Sequence, residues 1–338
     1  MSFPMEIKEI EEETNQNLLR DFPVTETKCW LQIGPKKFVV PSKYHELGPE
    51  LYNFKLRPDD IWIVTFPRSG ATVTQEMMWL IVKDLDFEGS IKIPQFLRFP
   101  QIEHKLVVSD ELREKLLADA NENPAKRDLI EQMTQDLMPT LEQTQEQRFM
   151  KTHLPLSLLP PGLLETCKVV YVCRHPKDVI VSFYQVSRNL STISFQNDFE
   201  HFWDYIENSQ CCFCPYWGHL REAWEQRDHP NMLFLFYEDI VKDMHGQIRK
   251  IANHYGKQMT EAQVRQLANH LKIENVRKNK IVNLEAVTKI SNPETPTVKE
   301  GNTAGLKDYF TPELNVRADS WITDNMARLP GFTFPVNK

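Results

Sequence analysis

Asp59-Asp60-Ile61-Trp62-Ile63-Val64-Thr65-Phe66-Pro67-Arg68-Ser69-Gly70-Ala71-Thr72-Val73 is the stretch on which the fold turns. After an acidic turn, Ile61 to Phe66 form an unbroken apolar, β-branched run, the signature of a strand buried on both faces of a parallel sheet. From Val73 to Leu85 the apolar period becomes helical, with Met77, Leu80 and Ile81 on one face. The unit reads strand, tight loop, helix. Such a loop aims free backbone N–H groups and the positive helix end at one point, where Arg68, Ser69 and Thr72 add a guanidinium and two hydroxyls. That is a P-loop-like anion cradle, although Arg68-Ser69-Gly70 lacks the Lys before the hydroxyl residue of a Walker A loop. A helix start at which Ser69 or Thr72 merely caps N–H groups fits the same residues.

Working outward, Lys168–Cys173 and Met232–Tyr237 repeat the pattern of a short apolar strand followed by a polar turn, and Phe149–Leu154 is a weaker example. Helical patterns cover 215–227, 243–256, 260–271 and 313–328 between and after them. Alternating strands and helices predict an α/β fold, a single domain over residues 26–338 with a central parallel sheet flanked by helices. The charged, Gln-rich stretch 109–147 reads as a helical insertion. Residues 1–25, with Glu6, Glu9, Glu11, Glu12 and Glu13, read as a flexible leader.

The 338 residues allow one large or two ordinary domains at about 150 each. With 41% hydrophobic residues there is material for a large core, so disorder and fibrous folds are excluded. The longest apolar run, Met77 to Val82, is far short of the ~20 residues of a membrane helix. A net charge of −7 argues against capture of a nucleic-acid backbone, so any anion site is local. Cysteines 29, 167, 173, 211, 212 and 214 include the cluster Cys211-Cys212-Phe213-Cys214, which lacks the second CxxC or His pair of a zinc site. No metal is expected, and reduced thiols suit the cytoplasm.

Ligands of open parallel sheets gather beyond the carboxyl ends of the strands. Two further groups stand at such places, and a third lies near the C-terminus. Lys151-Thr152-His153 offers a proton acceptor beside a cation, or a purely structural His. Arg174-His175-Pro176-Lys177-Asp178, with Ser182 and Tyr184 beyond, follows the third strand. Lys299-Glu300-Gly301-Asn302-Thr303 is a turn that could close over a phosphate or lie on the surface.

These four groups, in this order, resemble the cytosolic sulfotransferase family over about residues 40–330, and especially its insect branch that includes retinol dehydratase. The resemblance implies 3′-phosphoadenosine-5′-phosphosulfate (PAPS) as sulfuryl donor and 3′-phosphoadenosine-5′-phosphate (PAP) as product, without a metal. Thr65 to Val73 matches the family's TYPKSGTTW, which implies that Arg68, Ser69, Gly70, Ala71 and Thr72 hold the 5′-phosphosulfate, with Val73 toward the adenine. Lys151-Thr152-His153 matches KTH and implies His153 as general base, with Lys151 and Arg68 as transition-state partners. Tyr171 to Ser182 matches YVxRxxKDxxVS, giving Arg174 and Ser182 to the 3′-phosphate. Leu235-Phe236-Tyr237-Glu238-Asp239 matches LFYED, giving Tyr237 to the adenine. Leu271, Ile273, Lys299, Glu300 and Gly301 complete the implied donor site.

Departures from the pattern are Arg68 for Lys, Val73 and Ile273 for aromatics, and Glu300 for a cation. Each lost stacking face is worth roughly 1–3 kcal/mol of base binding. Lys307-Asp308-Tyr309-Phe310-Thr311-Pro312 resembles the family's dimer segment KxxxTV, implying a homodimer, with Pro312 and Val316 departing from it.

The reaction so implied is in-line sulfuryl transfer to a small lipophilic alcohol or phenol, lined by Phe96, Phe99, Phe183 and Tyr184 unless these rings are core. Dehydration through a sulfate ester, as in retinol dehydratase, is the alternative enzyme. A catalytically weak homologue that binds a nucleotide or lipophile is the alternative outside catalysis.

Overall fold

Seven strands form two sheets among the described residues, which are 3–23, 27–106, 108, 110–120, 123–189, 193–272 and 309–335 of a computed structural model. β1 (Ile7–Glu9), β2 (Trp30–Ile33) and β3 (Phe38–Pro41) pair antiparallel in that order. β4 (Ile61–Thr65), β5 (Phe149–Thr152), β6 (Lys168–Cys173) and β7 (Met232–Phe236) form a parallel sheet of order β5-β4-β6-β7. The expected central sheet is therefore present, with β4 and β6 inside it.

Because successive strand residues face opposite ways, the sheet builds a core on each side. Ile61, Ile63, Phe149, Val170, Val172 and Leu235 meet helices Ala71–Val82, Met244–His254 and Glu261–His270. Trp62, Val64, Met150, Val169, Tyr171 and Cys173 meet helices Pro176–Asn189, Phe199–Glu207, Tyr216–Glu225 and Pro312–Met326, and the antiparallel sheet. The continuous apolar strands follow from this, since neither face reaches water. Helix Ala71–Val82 is more enclosed than its single apolar face predicted, with every residue from Thr74 to Val82 buried. Its Glu76 accepts from Arg98 Nη2 at 2.6 Å, and its Oε1 lies 3.1 Å from His270 Nε2.

At the entrance to the sheet, buried Asp60 and Arg148 tie β4 to β5. Arg148 Nε donates to Asp60 Oδ1 at 2.7 Å and its Nη2 to Oδ2 at 2.5 Å, while Nη2 also reaches the Lys55 carbonyl at 2.7 Å. Removing one partner of such a pair strands a buried charge at a cost of about 3–5 kcal/mol.

The expectation of a flexible leader over 1–25 is corrected over residues 7–22. β1 pairs with β2, helix Glu12–Asp21 buries Leu18, Asn15 Oδ1 accepts from Trp30 N at 2.9 Å, and Tyr205 Oη donates to Asp21 at 2.7 Å. Glu6, Glu9, Glu11, Glu12 and Glu13 are all exposed, while Ile10, Leu18 and Phe22 point inward, so the charge that suggested solvation marks only the outer face. Residues 109–147 include helices Asp110–Asp119, Pro124–Thr134 and Leu137–Gln143, with a small core of Leu112, Leu116, Ala120 and Ile130. The cysteine cluster covers β3: Val39 N donates to the Cys214 carbonyl and Phe213 N to the Val39 carbonyl, both at 2.8 Å.

Candidate active site

The register of the parallel sheet sets Val64 opposite Thr152 and Tyr171, and Cys173 opposite Phe236. The next residues of the four strands therefore emerge side by side at one edge: Phe66 to Gly70, His153, Arg174 and Tyr237. Groups separated by up to some 170 positions in the sequence are brought together by strand pairing alone.

Within the first loop, Arg68 (φ 68°) and Gly70 (φ 105°) occupy the left-handed region. For a non-glycine residue this costs about 1–2 kcal/mol, a strain that clusters at functional sites. Gly70 is the N-cap of helix Ala71–Val82, and no capping side chain accepts from the first N–H groups of the helix. Ser69 Oγ is buried without a partner, and Thr72 is exposed. The capped-helix reading of the loop thus fails, and the first-turn N–H groups of Ala71, Thr72 and Val73 face outward with the positive end of the dipole. Only glycine fits at position 70, where a Cβ would lie 2.4 Å from Tyr237 Cδ2.

Two guanidiniums border this loop. Arg68 Nε donates to Ser182 Oγ at 3.0 Å, and Arg174 Nη1 donates to the Arg68 carbonyl at 3.3 Å. Arg174 also lies over the Tyr237 ring at 4.5 Å and reaches Asp178 at 3.8 Å. Loss of hydration and the charge of Arg174 lower the Arg68 pKa to about 10, so it stays charged at neutral pH. Arg68, Ser69, Gly70, Arg174, Ser182 and Tyr237 are thus one cluster, with an excess of positive charge and an orphaned hydroxyl.

His153 stands beside it. Its Nδ1 lies 2.8 Å from the Thr65 carbonyl and 3.1 Å from Thr65 Oγ1. A carbonyl only accepts, so Nδ1 carries the proton and Nε2 holds the lone pair. The His153 carbonyl accepts from His219 Nε2 at 3.1 Å, whose Nδ1 accepts from Tyr171 Oη at 2.8 Å, and the His153 N–H donates to Glu103 Oε1 at 2.6 Å. Phe213 meets the imidazole edge-on at 5.8 Å. Burial, then the Lys151 charge, hold the His153 pKa well below its ordinary value, so the ring is neutral at pH 7. Burial lowers Lys151 to about 8, with Glu103 opposing and Arg68 adding to the shift. Burial likewise pulls His219 down to about 4.

Thr65, Glu103, Tyr171, Phe213 and His219 went unread in the sequence. Tyr171 and His219 belong to a strand and a helix whose apolar neighbours hide them, and Glu103 lies in a segment without a motif. Three expected lining residues pack against other rings. Phe99 packs on Phe149 at 5.4 Å, Phe183 on Phe66 at 6.2 Å, and Tyr184 joins Phe195, Phe199, Phe202 and Tyr309. All three rings are buried, and Phe96 is half-buried. Leu271, 2% exposed, closes the core at the end of helix Glu261–His270 and presents almost no surface to a donor. Val73 is half-buried against the same core. Ile273, Lys299, Glu300, Gly301, Lys307 and Asp308 lie outside the described residues. Tyr309 and Phe310 pack on Phe199, and Val316 is exposed.

Among the described residues, no helix is long and apolar enough to cross a membrane, and no three His, Cys, Asp or Glu are grouped as metal ligands. Residues 58–330 match the family model of the sulfotransferase domain. Luciferin sulfotransferase of Photinus pyralis is 29% identical over 98% of this chain and 89% of its own length. Sulfotransferase 4A1 of Homo sapiens is 30% identical over 80% and 81%. Among solved structures, retinol dehydratase in a complex with retinol and PAP superimposes with a TM-score of 0.90 at 34% identity, over 99% of this chain and 100% of that one. Its complex with androsterone and inactive cofactor PAP matches equally well, with 99% of each chain covered. With the matched domain spanning both the phosphate-loop strand and the C-terminal helix, the chain belongs to the sulfotransferase family.

Proposed function

We propose that the chain transfers the sulfuryl group of PAPS to the hydroxyl of a small lipophilic alcohol or phenol in the cytoplasm, with His153 as general base. The observation that carries this reading is the His153 tautomer: Nδ1–H is committed to the Thr65 carbonyl at 2.8 Å, which leaves Nε2 as a neutral base beside Lys151 and the anion loop. A module that only binds has no use for that arrangement.

The donor fits the residues present. The buried hydroxyl of Ser69 lacks a partner, the first-turn N–H groups are uncapped, and Arg68 and Arg174 supply two positive charges for two phosphate positions. Arg68, Ser69, Gly70, Ala71 and Thr72 would hold the 5′-phosphosulfate, Arg174 and Ser182 the 3′-phosphate, and Tyr237 the adenine side. When bound, PAPS supplies an electrophilic sulfur and a phosphate leaving group.

His153 Nε2 takes the acceptor proton as the hydroxyl oxygen bonds to sulfur and the bond from sulfur to the bridging phosphate oxygen breaks. Lys151, Arg68 and the loop N–H groups meet the charge that grows on that oxygen. The sulfate ester, PAP and one proton balance the reaction. Preorganised cations and N–H groups carry most of the stabilisation, as in phosphoryl transfer.

A second reading is favoured by the extent of the likeness to retinol dehydratase, 34% identity over essentially both chains. An allylic sulfate ester formed in the same way would lose sulfate and a proton from carbon to give an alkene. Incubation with PAPS and a panel of phenols, saturated alcohols and allylic alcohols, with products identified by mass spectrometry, tests both. Sulfate esters establish the first reading; alkene and free sulfate from the allylic members establish the second. Neither product, with PAP still bound tightly, would leave the binding homologue.

A further inference from the structure

Helix Tyr216–Glu225 belongs to none of the motifs, yet one face of it reaches the ends of three strands of the parallel sheet. Past the end of a strand the backbone has left the ladder, so its carbonyls need other partners. His219 Nε2 donates to the His153 carbonyl, one residue beyond β5, at 3.1 Å. Tyr216 Oη donates to the Arg174 carbonyl, one residue beyond β6, at 2.7 Å. β4 lies between those two strands, and Phe66, the residue after it, meets Tyr216 edge-on at 5.1 Å and His219 at 5.9 Å.

Three positions apart, Tyr216 and His219 are neighbours on the helix surface, and both are buried. The imidazole has one arrangement open to it: a carbonyl only accepts, so Nε2 carries the proton and Nδ1 accepts from Tyr171 Oη at 2.8 Å. The helix is itself held. Three positions further on, Glu222 accepts from Ser157 N at 2.9 Å and from Lys36 Nζ at 3.0 Å, and Trp217 packs on Trp321 at 5.6 Å. One anchored element therefore grips the backbone at two points that belong to different strands. Ladder pairing fixes the strands but stops short of the residues beyond them.

We propose that Tyr216 and His219 are positioning residues, which together set the separation of His153 from Arg174 across the phosphate loop. This rests on the roles given above to His153 as base and to Arg174 at the 3′-phosphate. The two ends of the bracket then act on different steps: His219 on proton removal, Tyr216 on the recognition of the 3′-phosphate. Bonds that merely stabilised the fold would show no such division.

The test uses the full chain as wild type, His219→Phe, His219→Gln and Tyr216→Phe. Selective ¹⁵N labelling of histidine reads the His153 tautomer by NMR, with His153→Ala identifying its signals. Calorimetry with PAP and with AMP, which lacks the 3′-phosphate, reads the Arg174 end. The wild type is expected to hold His153 as a single Nδ1–H tautomer. In His219→Phe, whose ring donates nothing, the tautomers mix and kcat falls by roughly 10-fold or more, while the Kd for PAP stays within twofold. His219→Gln, which keeps a donor, returns the single tautomer and most of kcat. Tyr216→Phe, which loses one oxygen, binds PAP roughly 3- to 10-fold more weakly and AMP within twofold of the wild type. A single tautomer in His219→Phe overturns the proposal, as does mixing in His219→Gln equal to that in His219→Phe. So does Tyr216→Phe with PAP affinity intact, or with PAP and AMP weakened alike; this arm stands even if His219→Phe fails to fold. The tautomer is read without donor or acceptor. Wild type that neither binds PAP nor transfers sulfuryl therefore overturns the transferase reading, while the histidine variants still decide whether His219 positions His153.

Discussion

Gly70→Ala probes the geometry of the loop at its tightest point. At φ 105° an alanine sits in the left-handed region, at a cost of about 1–2 kcal/mol. Its Cβ would also lie 2.4 Å from Tyr237 Cδ2 and 3.1 Å from Cε2, so the ring must retreat by about 1 Å to regain an ordinary 3.4 Å contact. Tyr237 lies under Arg174 at 4.5 Å, and losing that contact forfeits another ~0.5–2 kcal/mol. Together these amount to about 1.5–4 kcal/mol of stability and, for a chain of 338 residues, a melting temperature lower by roughly 2–6 °C. PAP binding suffers separately, because the ring and the guanidinium proposed to hold adenine and 3′-phosphate both move. Loss of one stacked base costs roughly 1–3 kcal/mol, or about 5- to 150-fold in Kd. Calorimetric titration with PAP and a thermal melt measure the two effects. Gly256→Ala is the control, since Gly256 has φ 68° but nothing within 4 Å of its would-be Cβ. That variant should lose about 1 kcal/mol of stability with PAP affinity intact. A Gly70→Ala protein that binds PAP within twofold of the wild type would refute the reasoning.

Ser69→Ala should leave urea stability within about 0.5 kcal/mol of the wild type, because the buried hydroxyl has no partner to lose, while PAP affinity falls by roughly 3- to 10-fold in calorimetry. Leu18→Ala should cost about 2–5 kcal/mol in urea unfolding, since Leu18 is buried in the main core; a solvated leader would show no change. His153 is neutral down to well below its ordinary pKa and Lys151 is charged up to about 8. The profile of kcat/KM against pH should therefore be flat around neutrality and fall with unit slope above about 8, as Lys151 gives up its proton. Lys151→Arg, which cannot deprotonate in that range, should abolish the alkaline fall at a lower plateau.

How much of this was legible in the sequence follows from which constraints are local. Three of the four parallel strands were readable because burial on both faces makes each a continuous apolar run that ends abruptly in polar residues, while β5, an edge strand carrying Lys151 and Thr152, was the weaker signal; the register then sets the four ends side by side. β1 to β3 were not readable. They are three or four residues long, and their pairing is specified by tertiary partners such as Asn15 on Trp30 and Phe213 on Val39, which no local pattern announces. Arg68 and Arg174 stood out because strand ends are where ligands gather, while the roles expected of His153 and Tyr237 rested on the resemblance to the family motifs. Glu103 and His219 could not be found, since each acts on the backbone of His153 from an element distant in sequence. The packing of the aromatic rings was hidden for a related reason: a ring next to an active-site motif has the same signature whether it is exposed or, like Phe183 and Tyr184, buried among other rings.

The central claim is that His153 removes the acceptor proton in transfer from PAPS. The most direct measurement is transfer of ³⁵S-labelled sulfuryl from PAPS to a small phenol or alcohol by the wild type and by His153→Ala, with PAP affinity determined on both proteins. The account predicts that the variant keeps PAP affinity within a few fold and loses at least roughly 10²-fold in kcat, the lower end of what a positioned base contributes. Transfer by His153→Ala at the wild-type rate would contradict it.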